Sequence, residues 1–383
     1  MALKGHKLML ALTGTENFLH AEADDFIISL RSFQGGIERC FADGCVSPAY
    51  TVLKPSKDVE VRFFAYLLKS AWFVSVLQSR TTGIREGKTI TYPQFASIEL
   101  PLPSLAEQAK IADFLDREIA EADALIAKYQ RLIDLLNENH ASTIAHAVTK
   151  GLNPHVEMVS SGVEWIGQLP AHWILTPLKH VVRKLTVGIV VTPAAYYVDE
   201  GVPCLRSLNI KERLIVPDDL VYISAESNEL HKKSKIYTGD LVIVRTGQTG
   251  TAAVVDERFN NANCIDLIIA RPSKSTNAFF LAYYLNSDAA KAQYEQHSGG
   301  AIQQHFNIGI AGSLSVSLPP EEEQRDIVRF LDGACNEISR TIEITKAAID
   351  LTRERRSAII TAAVTGRINV RSYDATRKME AVS

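Results

Sequence analysis

An internal repeat is the feature that most restricts how this chain can fold. Residues 100–116 read LPLPSLAEQAKIADFLD, and residues 316–332 read VSLPPEEEQRDIVRFLD. Matching positions such as Gln108 and Gln324 are 216 residues apart. Similarity at lower identity continues for about thirty residues beyond each segment. Because a repeat defines the architecture, we expect two copies of one structural unit.

The similarity also extends upstream of these segments. FFAYLLKS at 63–70 resembles FLAYYLNS at 280–287. DDFIISLRSFQGG at 24–36 resembles GDLVIVRTGQTG at 239–250, with a drift of one or two residues in the spacing. The predicted order along the chain is therefore a globular part, a long helix, a second globular part and a second long helix.

Each repeat segment leads into the pattern of a long helix. Ser104 and Glu107 form a capping box that follows a proline stop. Apolar positions then recur alternately four and three residues apart, which is the heptad pattern of a coiled coil. The seam positions of the first helix are Leu115, Ile119, Ala122, Ile126, Tyr129, Ile133, Leu136, His140, Thr143 and Ala147. Those of the second helix are Leu331, Cys335, Ile338, Ile342, Thr345, Ile349, Thr352, Arg356, Ile359 and Ala363.

One helix with a single narrow apolar seam cannot bury that seam by itself. The two helices are of equal length, and the module between them must return the chain, so we expect them to pair antiparallel within the chain. A coiled coil between two chains is the alternative. His140 and Arg356 occupy seam positions where apolar residues are expected, and they either face water at a frayed end or dock another subunit.

The globular parts are predicted to be mixed α/β domains. Short apolar runs between turn residues predict strands, and longer ones predict helices. The predicted strands are 241–244, 252–255, 267–270 and 314–318, and the predicted helices are 279–285 and 289–294. The fold class is thus α+β, with two mixed α/β domains separated by two long antiparallel coiled-coil helices in a pseudo-twofold repeat. The predicted boundaries are a first domain at 1–103, a helix at 104–150, a linker at 151–161, a second domain at 162–318, a helix at 319–368 and a flexible tail at 369–383.

Composition excludes several classes of protein. The formal net charge is −3 and the pI is about 6.4, so any surface that binds nucleic acid must be local. No apolar run approaches the ~18 residues that span a bilayer. The five cysteines are scattered and form no CxxC pair, which predicts buried free thiols and a cytoplasmic protein without a membrane partner. Nucleotide-loop, nucleophile-elbow, zinc-protease and kinase motifs are absent, so we expect no catalysis by this chain.

Polar loops at matching places in both copies are the candidate functional sites. Arg, Gln and Asn side chains can pair with base edges, and Lys and Thr suit phosphates. In the second domain the candidates are Arg245, Thr246 and Gln248, the basic cluster Lys232, Lys233 and Lys235, and the loop residues Gln303, Gln304 and His305. In the first domain they are Arg31, Ser32, Gln34, Thr81, Arg85 and Lys88. The symmetric placement in both copies favours DNA binding over the alternative that these are the polar residues found in any surface loop.

Taken together, these motifs resemble the specificity subunit of type I restriction–modification enzymes. GVEWIGQLPAHW at 162–173 resembles the start of a target recognition domain in that family. The two repeat segments, AVTKGL at 147–152 and AVTGRI at 363–368 resemble its paired conserved regions. DGCVSPAYTVLKP at 43–55 resembles a stretch inside its recognition domains.

That resemblance implies a sequence-specific DNA-binding subunit without catalysis or a cofactor of its own. The two recognition domains would each read one half of a split target in double-stranded DNA. The helices would bind two modification subunits, which carry S-adenosylmethionine and the adenine methyl-transfer site. Restriction subunits would supply ATP- and Mg-dependent translocation and cleavage. A rod of about 69 Å, at ~1.5 Å per residue over residues 104–149, would hold the two domains apart as a spacer.

The two copies differ in one respect. About 78 residues separate Gly162 from Asp240, whereas only 24 residues precede the matching Asp25. The first recognition domain therefore resembles one that lacks its start, and we expect its half-site to be poorly read. The alternative function is a coiled-coil scaffold that binds only proteins, and salt-dependent DNA affinity would distinguish the two.

Overall fold

The chain forms two compact units. The computed structural model describes residues 17–29, 37–80, 90–191, 193–298 and 306–370, with only the backbone at residues 193, 297 and 298. The first unit comprises Met1–Leu132 and Ile344–Ser383, and the second comprises Ile133–Glu343. Each long helix therefore contributes one part to each unit.

The first unit contains a small antiparallel sheet covered by helices. Its described elements are β1 (Leu19–Ala21), β2 (Phe26–Ser29), β3 (Glu38–Arg39), β4 (Gly44–Val46), β5 (Tyr50–Leu53), α1 (Val61–Leu67), α2 (Ala71–Ser79), α3 (Tyr92–Ala96) and the first part of α4 (Leu105–Lys150). The sheet order is β3-β2-β5, and β1 pairs with β4. Phe26 and Ile28 of β2 pack in one core with Phe63 of α1 and with Phe114 and Leu115 of α4. This core attaches the domain to the start of the long helix.

The second unit is larger and contains two four-stranded sheets. Its first elements are β6 (Met158–Ser160), β7 (Gln168–Pro170), β8 (Ile174–Pro177), α5 (Leu178–Val181), β9 (Val182–Val187), β10 (Tyr197–Val198), β11 (Val202–Leu205), β12 (Ile210–Lys211), β13 (Leu214–Ile215), β14 (Val221–Ile223) and α6 (Ala225–Leu230). Then follow β15 (Leu241–Val244), β16 (Ala252–Val254), β17 (Asn263–Cys264), β18 (Leu267–Pro272), α7 (Ala278–Asn286), α8 (Asp288–Ser298), α9 (Ile308–Ser313), β19 (Ser315–Leu318) and α10 (Glu321–Val364). One sheet is antiparallel in the order β16-β15-β18-β9, and the other has the order β10-β14-β11-β17. The predicted strands correspond to β15, β16, β18 and β19, and the predicted helices to α7 and α8.

The repeat is visible in backbone detail at the turn before the central strand of each sheet. Asp24 has a φ of 77° and Gly239 has a φ of 86°, so both copies use a left-handed residue here. The next residue then closes the turn in the same way. The Glu22 amide donates to the Asp25 carboxylate at 2.9 Å, as the Tyr237 amide does to Asp240 at 3.0 Å.

A buried glutamine joins each long helix to its own domain. Gln324 Oε1 accepts from the Asn277 amide at 2.7 Å, and Nε2 donates to the Pro319 carbonyl at 2.8 Å and to the Ser275 carbonyl at 3.1 Å. Gln108 makes the equivalent bonds to the Glu60 amide and to the Pro103 and Asp58 carbonyls, at 2.8, 2.9 and 3.0 Å. Both glutamines are 1% exposed. The glutamine of the Glu-Gln pair that marks the repeat is therefore a structural junction.

A tyrosine–aspartate hydrogen bond repeats this junction two turns further along each helix. Tyr66 donates to Asp116 at 2.6 Å, and Tyr283 donates to Asp332 at 2.7 Å. Burial and the adjacent carboxylate raise the pKa of both phenols well above the ordinary value, so each remains a donor. In the second unit the guanidinium of Arg213 stacks over the Tyr283 ring at 4.1 Å.

The long helices pair antiparallel inside each unit. In the first unit Asp123 lies 3.5 Å from Arg356, while residues earlier in α4 share a core with Val364, at the end of α10. In the second unit Gly151, just past the end of α4, lies against Glu323 near the start of α10. The predicted intramolecular pairing is confirmed in both units, and every predicted seam position is buried or half-buried.

Neither polar seam residue lies at a frayed end. His140 and Arg356 are both half-buried, and the helices continue to Lys150 and Val364. Burial, with the nearby Arg213 guanidinium, lowers the pKa of His140, so its neutral form is favoured in the fold.

We expect the Gln324→Ala change to destabilise the second unit by about 2–4 kcal/mol, because it leaves buried backbone groups without partners. Gln108→Ala should act similarly on the first unit. Urea unfolding measures the effect. The exposed neighbour Glu322 provides the control, since Glu322→Ala should change stability by less than about 0.5 kcal/mol. Equal stability of the Gln324 and Glu322 variants would contradict the role assigned to the glutamine.

His140 should make stability depend on pH. The pKa of His140 is lower in the folded than in the unfolded chain, so the unfolded chain takes up its proton first as pH falls below about 6.5. This contribution to stability is present above about pH 6.5 and is lost below it. His140→Gln should therefore lose less stability between pH 7 and pH 5 than the wild type in urea unfolding. An identical loss in both proteins would contradict this.

Candidate nucleic-acid interface

Arg245, the leading candidate for reading a base, is held in place by two other segments. It directly follows β15, and its Nη1 donates to Asp266 Oδ1 at 2.6 Å. Its Nε donates to the Phe306 carbonyl at 3.1 Å, and the Phe306 amide donates back to the Arg245 carbonyl at 3.3 Å. The side chain is 16% exposed. The guanidinium is therefore pre-oriented, with two of its three nitrogens engaged inside the protein.

Thr246 and Gln248 lie on the exposed part of the same loop. Thr246 Oγ1 donates to Asp266 Oδ2 at 3.3 Å, so one carboxylate contacts two neighbouring candidates. Gly247 and Gly250 have φ values of 91° and 85°, which an L side chain rarely adopts. The turn thus presents Gln248 to solvent.

Packing also restricts which residue type can occupy position 250. A Cβ atom there would lie 2.1 Å from the Tyr294 ring. Tyr294 in turn packs edge-on against Phe306, with ring centroids 4.9 Å apart. The loop therefore rests on two buried aromatic rings, and its conformation depends on residues far away in sequence.

Sequence reasoning missed Asp266. It lies in the turn between β17 and β18, with a φ of 50°, and its amide donates to the Ile189 carbonyl at 3.1 Å. The only sequence signal was an acidic residue between two apolar runs, which is common.

The three lysines of the predicted basic cluster have different environments. Lys232 and Lys233 are exposed on a 3₁₀ turn, and Lys184 of β9 donates to the Lys233 carbonyl at 3.0 Å. Lys235 is buried, with a side chain 6% exposed, and its ammonium is paired with Glu229. Two lysines are thus available for a phosphate, whereas the third is engaged in the fold.

The remaining candidates lie outside the described residues. These are Gln303, Gln304 and His305 in the second domain, and Arg31, Ser32, Gln34, Thr81, Arg85 and Lys88 in the first. Their predicted roles stay predictions.

Other chemistry is sparse in the described part of the chain. Within those ranges no group of three or more His, Cys, Asp or Glu side chains is placed to hold a metal ion. No described helix combines the length and apolar character that crossing a bilayer requires.

Burial raises the pKa of Cys204 to about 12 and that of Cys264 well above the ordinary value, so these thiols are unreactive. Cys40 is half-buried and Cys45 is exposed, so the expectation of buried thiols was wrong for these two.

This architecture defines a class of protein. It has two copies of an α/β domain, each followed by a long helix and joined to it by the same buried bonds. In the second copy, a rigid polar loop lies at the end of a sheet.

The sequence identifies the family within that class. The family model for the type I restriction modification DNA specificity domain matches residues 10–134 and 199–349, which is more than half of the chain. The chain belongs to this family.

Individual relatives agree with this assignment. The EcoBI specificity subunit of Escherichia coli is 27% identical over 281 residues, which cover 71% of this chain and 58% of that protein. The putative MjaX specificity subunit of Methanocaldococcus jannaschii is 24% identical over 324 residues, covering 84% of this chain and 71% of that protein. The chain thus spans less than two thirds of the length of the EcoBI relative.

Solved structures share the fold. The HsdS subunit from Thermoanaerobacter tengcongensis aligns with a TM-score of 0.56 at 19% identity, covering 91% of this chain and 82% of that one. A chain from a study of assembly and conformational transition in the type I R-M system aligns with a TM-score of 0.65 at 20% identity, covering 90% and 82%. The predicted fold class is confirmed.

The different environments of the lysines lead to a test. We expect Lys235→Ala to destabilise the protein by about 1–2 kcal/mol, because it removes a buried stem and an ion pair. Lys233→Ala should change stability by less than about 0.5 kcal/mol, since its side chain is exposed. Urea unfolding of the two variants compares them directly. Equal stability would mean that Lys235 is not engaged in the fold.

Proposed function

We propose that this chain is the DNA-recognition subunit of a cytoplasmic type I restriction–modification complex, and that it reads a bipartite target. One observation carries the proposal: the family match falls on both copies of the duplicated unit. Two copies of a DNA-reading domain in one chain suit a target with two half-sites. The scaffold alternative is not favoured, because the relatives described above are named as restriction-enzyme specificity subunits.

The loop after β15 supports a role in base reading. The Asp266 carboxylate and the Phe306 carbonyl hold Arg245 in one orientation, so little side-chain entropy would be lost on binding. The guanidinium nitrogen Nη2 would remain for a guanine edge, with the exposed Gln248 amide beside it on the loop. Lys232 and Lys233 would contact phosphates, which set register and affinity rather than sequence.

The partners follow from the same proposal. The chain would be non-catalytic and would hold no cofactor. Two modification subunits would bring S-adenosylmethionine, and restriction subunits would bring ATP and Mg. The formal charge of −3 predicts weak DNA binding by the chain alone, which the modification subunits would strengthen.

Methylation mapping tests this function. Genomic DNA from cells with the modification subunits, with and without this chain, should differ at one recurrent bipartite motif. The Arg245→Ala variant should weaken binding of that motif by roughly 5- to 150-fold, which corresponds to ~1–3 kcal/mol for a lost contact to a guanine edge, and should relax one position. An unchanged motif would remove Arg245 from the readers, and no chain-dependent motif would reject the function.

The phosphate contacts predict a different signature. Lys232→Ala and Lys233→Ala together should lower affinity for all sequences alike and reduce the slope of log affinity against log salt by about 2. Arg258→Ala is the control, because it removes an exposed, ion-paired arginine of the same unit. A slope that responds equally to both changes would contradict the assignment.

A further inference from the structure

A two-residue hairpin turn in the second unit carries an arginine in an unfavourable backbone conformation. Lys211 of β12 pairs with Leu214 of β13, so Glu212 and Arg213 form the turn between the two strands. Arg213 has a φ of 63°, which lies in the left-handed region that Gly and Asn adopt at lower cost. An arginine in this conformation implies that its side chain contributes something that Gly or Asn cannot.

The Arg213 side chain connects two layers of the unit. Ile215 of its hairpin is buried in a core with Val242 of β15. The Arg213 guanidinium stacks at 4.1 Å over the ring of Tyr283, which shares a second core with Ile243. Because successive residues of a strand point to opposite faces of its sheet, these two cores lie on opposite faces of β15. Arg213 therefore reaches past β16 from one core to the other.

The same guanidinium also approaches α10. Arg213 Nη1 lies 3.8 Å from Asp332 Oδ1, the oxygen that accepts from the Tyr283 hydroxyl at 2.7 Å. The Arg213 side chain is 30% exposed, so the stack and the ion pair are partly shielded from water, which strengthens both. The hairpin is thus attached to the bond that joins the domain to its long helix.

The backbone of Arg213 holds the far end of the loop that carries Arg245. Residues 245–251, here called the reading loop, connect β15 to β16. The Arg213 amide donates at 2.9 Å to the carbonyl of Ala252, the first residue of β16, and Asn286 Nδ2 donates to the same carbonyl at 2.8 Å. The hairpin and α7 therefore meet at the residue where the reading loop ends.

We propose that Arg213 is a positioning residue for base recognition: its guanidinium fastens the hairpin to α7 and α10, and its amide fixes the end of the reading loop. This inference rests on the proposed function, because it requires that Arg245 reads a base. A loop fixed at both ends keeps its side chains within the narrow geometry that a hydrogen bond to a base edge requires. Loss of the guanidinium therefore reduces discrimination between bases more than it reduces overall affinity for DNA.

Arg213→Asn separates the role of the side chain from that of the turn. Asn adopts the left-handed conformation readily, so the hairpin should remain folded while the stack and the ion pair are lost. Lys291→Gln is the matched control. It also removes one positive charge, and it breaks another side-chain contact of the same turn, the exposed pair of Lys291 with Glu212 at 2.9 Å. Both variants should unfold cooperatively in urea.

Amide hydrogen exchange on the full chain without DNA tests the attachment of the loop. The Gly250 and Thr251 amides are hydrogen-bonded within the loop and to the end of β15. They should exchange about five-fold faster or more in Arg213→Asn than in the wild type, because the end of the loop is less restrained. Lys291→Gln should exchange like the wild type. Equal rates in all three proteins would overturn the proposal.

Base discrimination by the complex with its modification subunits tests the consequence. The measured quantity is the ratio of affinities for the target and for a target altered at the base pair that Arg245→Ala relaxes. Arg213→Asn should lower this ratio by about three-fold or more without changing the slope of log affinity against log salt. Arg213→Lys should restore part of the ratio, because it keeps the charge but lacks the planar group. In an Arg245→Ala background, Arg213→Asn should change the ratio no further, because both residues act through one contact.

The outcomes separate this inference from the proposed function. If Arg245→Ala relaxes one position and Arg213→Asn leaves discrimination there intact, the positioning role is rejected and the function stands. Equal loss at positions that Arg245 does not read would also reject the role, since Arg213 would then act through the fold as a whole. If no motif depends on this chain, or if Arg245→Ala relaxes no position, this inference fails together with the proposal on which it rests.

Discussion

The rest of this structure depends on a buried amide. Gln108 and Gln324 each lie in the first turn of a long helix and satisfy backbone groups of the domain that precedes it. Water cannot replace these bonds at 1% exposure, so the domain and its helix hold a fixed relation. The tyrosine–aspartate bond secures the same pair two turns later. A loop that contacts DNA bases needs a rigid connection of this kind, because its side chains must be held in reproducible positions.

The two units share a backbone arrangement, but they carry different side chains. The Asp240 carboxylate is 3% exposed and bonds to Arg271 at 2.6–2.7 Å, whereas the matching Asp25 lies 4.0 Å from the exposed Lys54. Two domains with one backbone plan and different side chains are suited to two different half-sites, which accords with the proposed bipartite target.

Much of the fold was predictable because its signals are local or periodic. The helix predicted over 104–150 is Leu105–Lys150, and the strand predicted over 241–244 is Leu241–Val244. Heptad spacing and runs bounded by turn residues report directly on which side of an element is buried. The candidate site was less accessible to such reasoning. The sequence indicated Arg245 as polar and next to a strand, but not that Asp266 and Phe306 engage it, because those partners lie 21 and 61 residues away.

The sequence by itself determined that this chain is a tandem repeat of a domain and a long helix. Repetition and periodicity are properties of the sequence order alone, so they need no knowledge of the folded chain. Only the tertiary structure decided which lysines of the basic cluster are exposed and which arginine is pre-oriented. Those properties arise when segments distant in sequence come into contact, and burial and pairing then set whether a charged group remains available to a ligand.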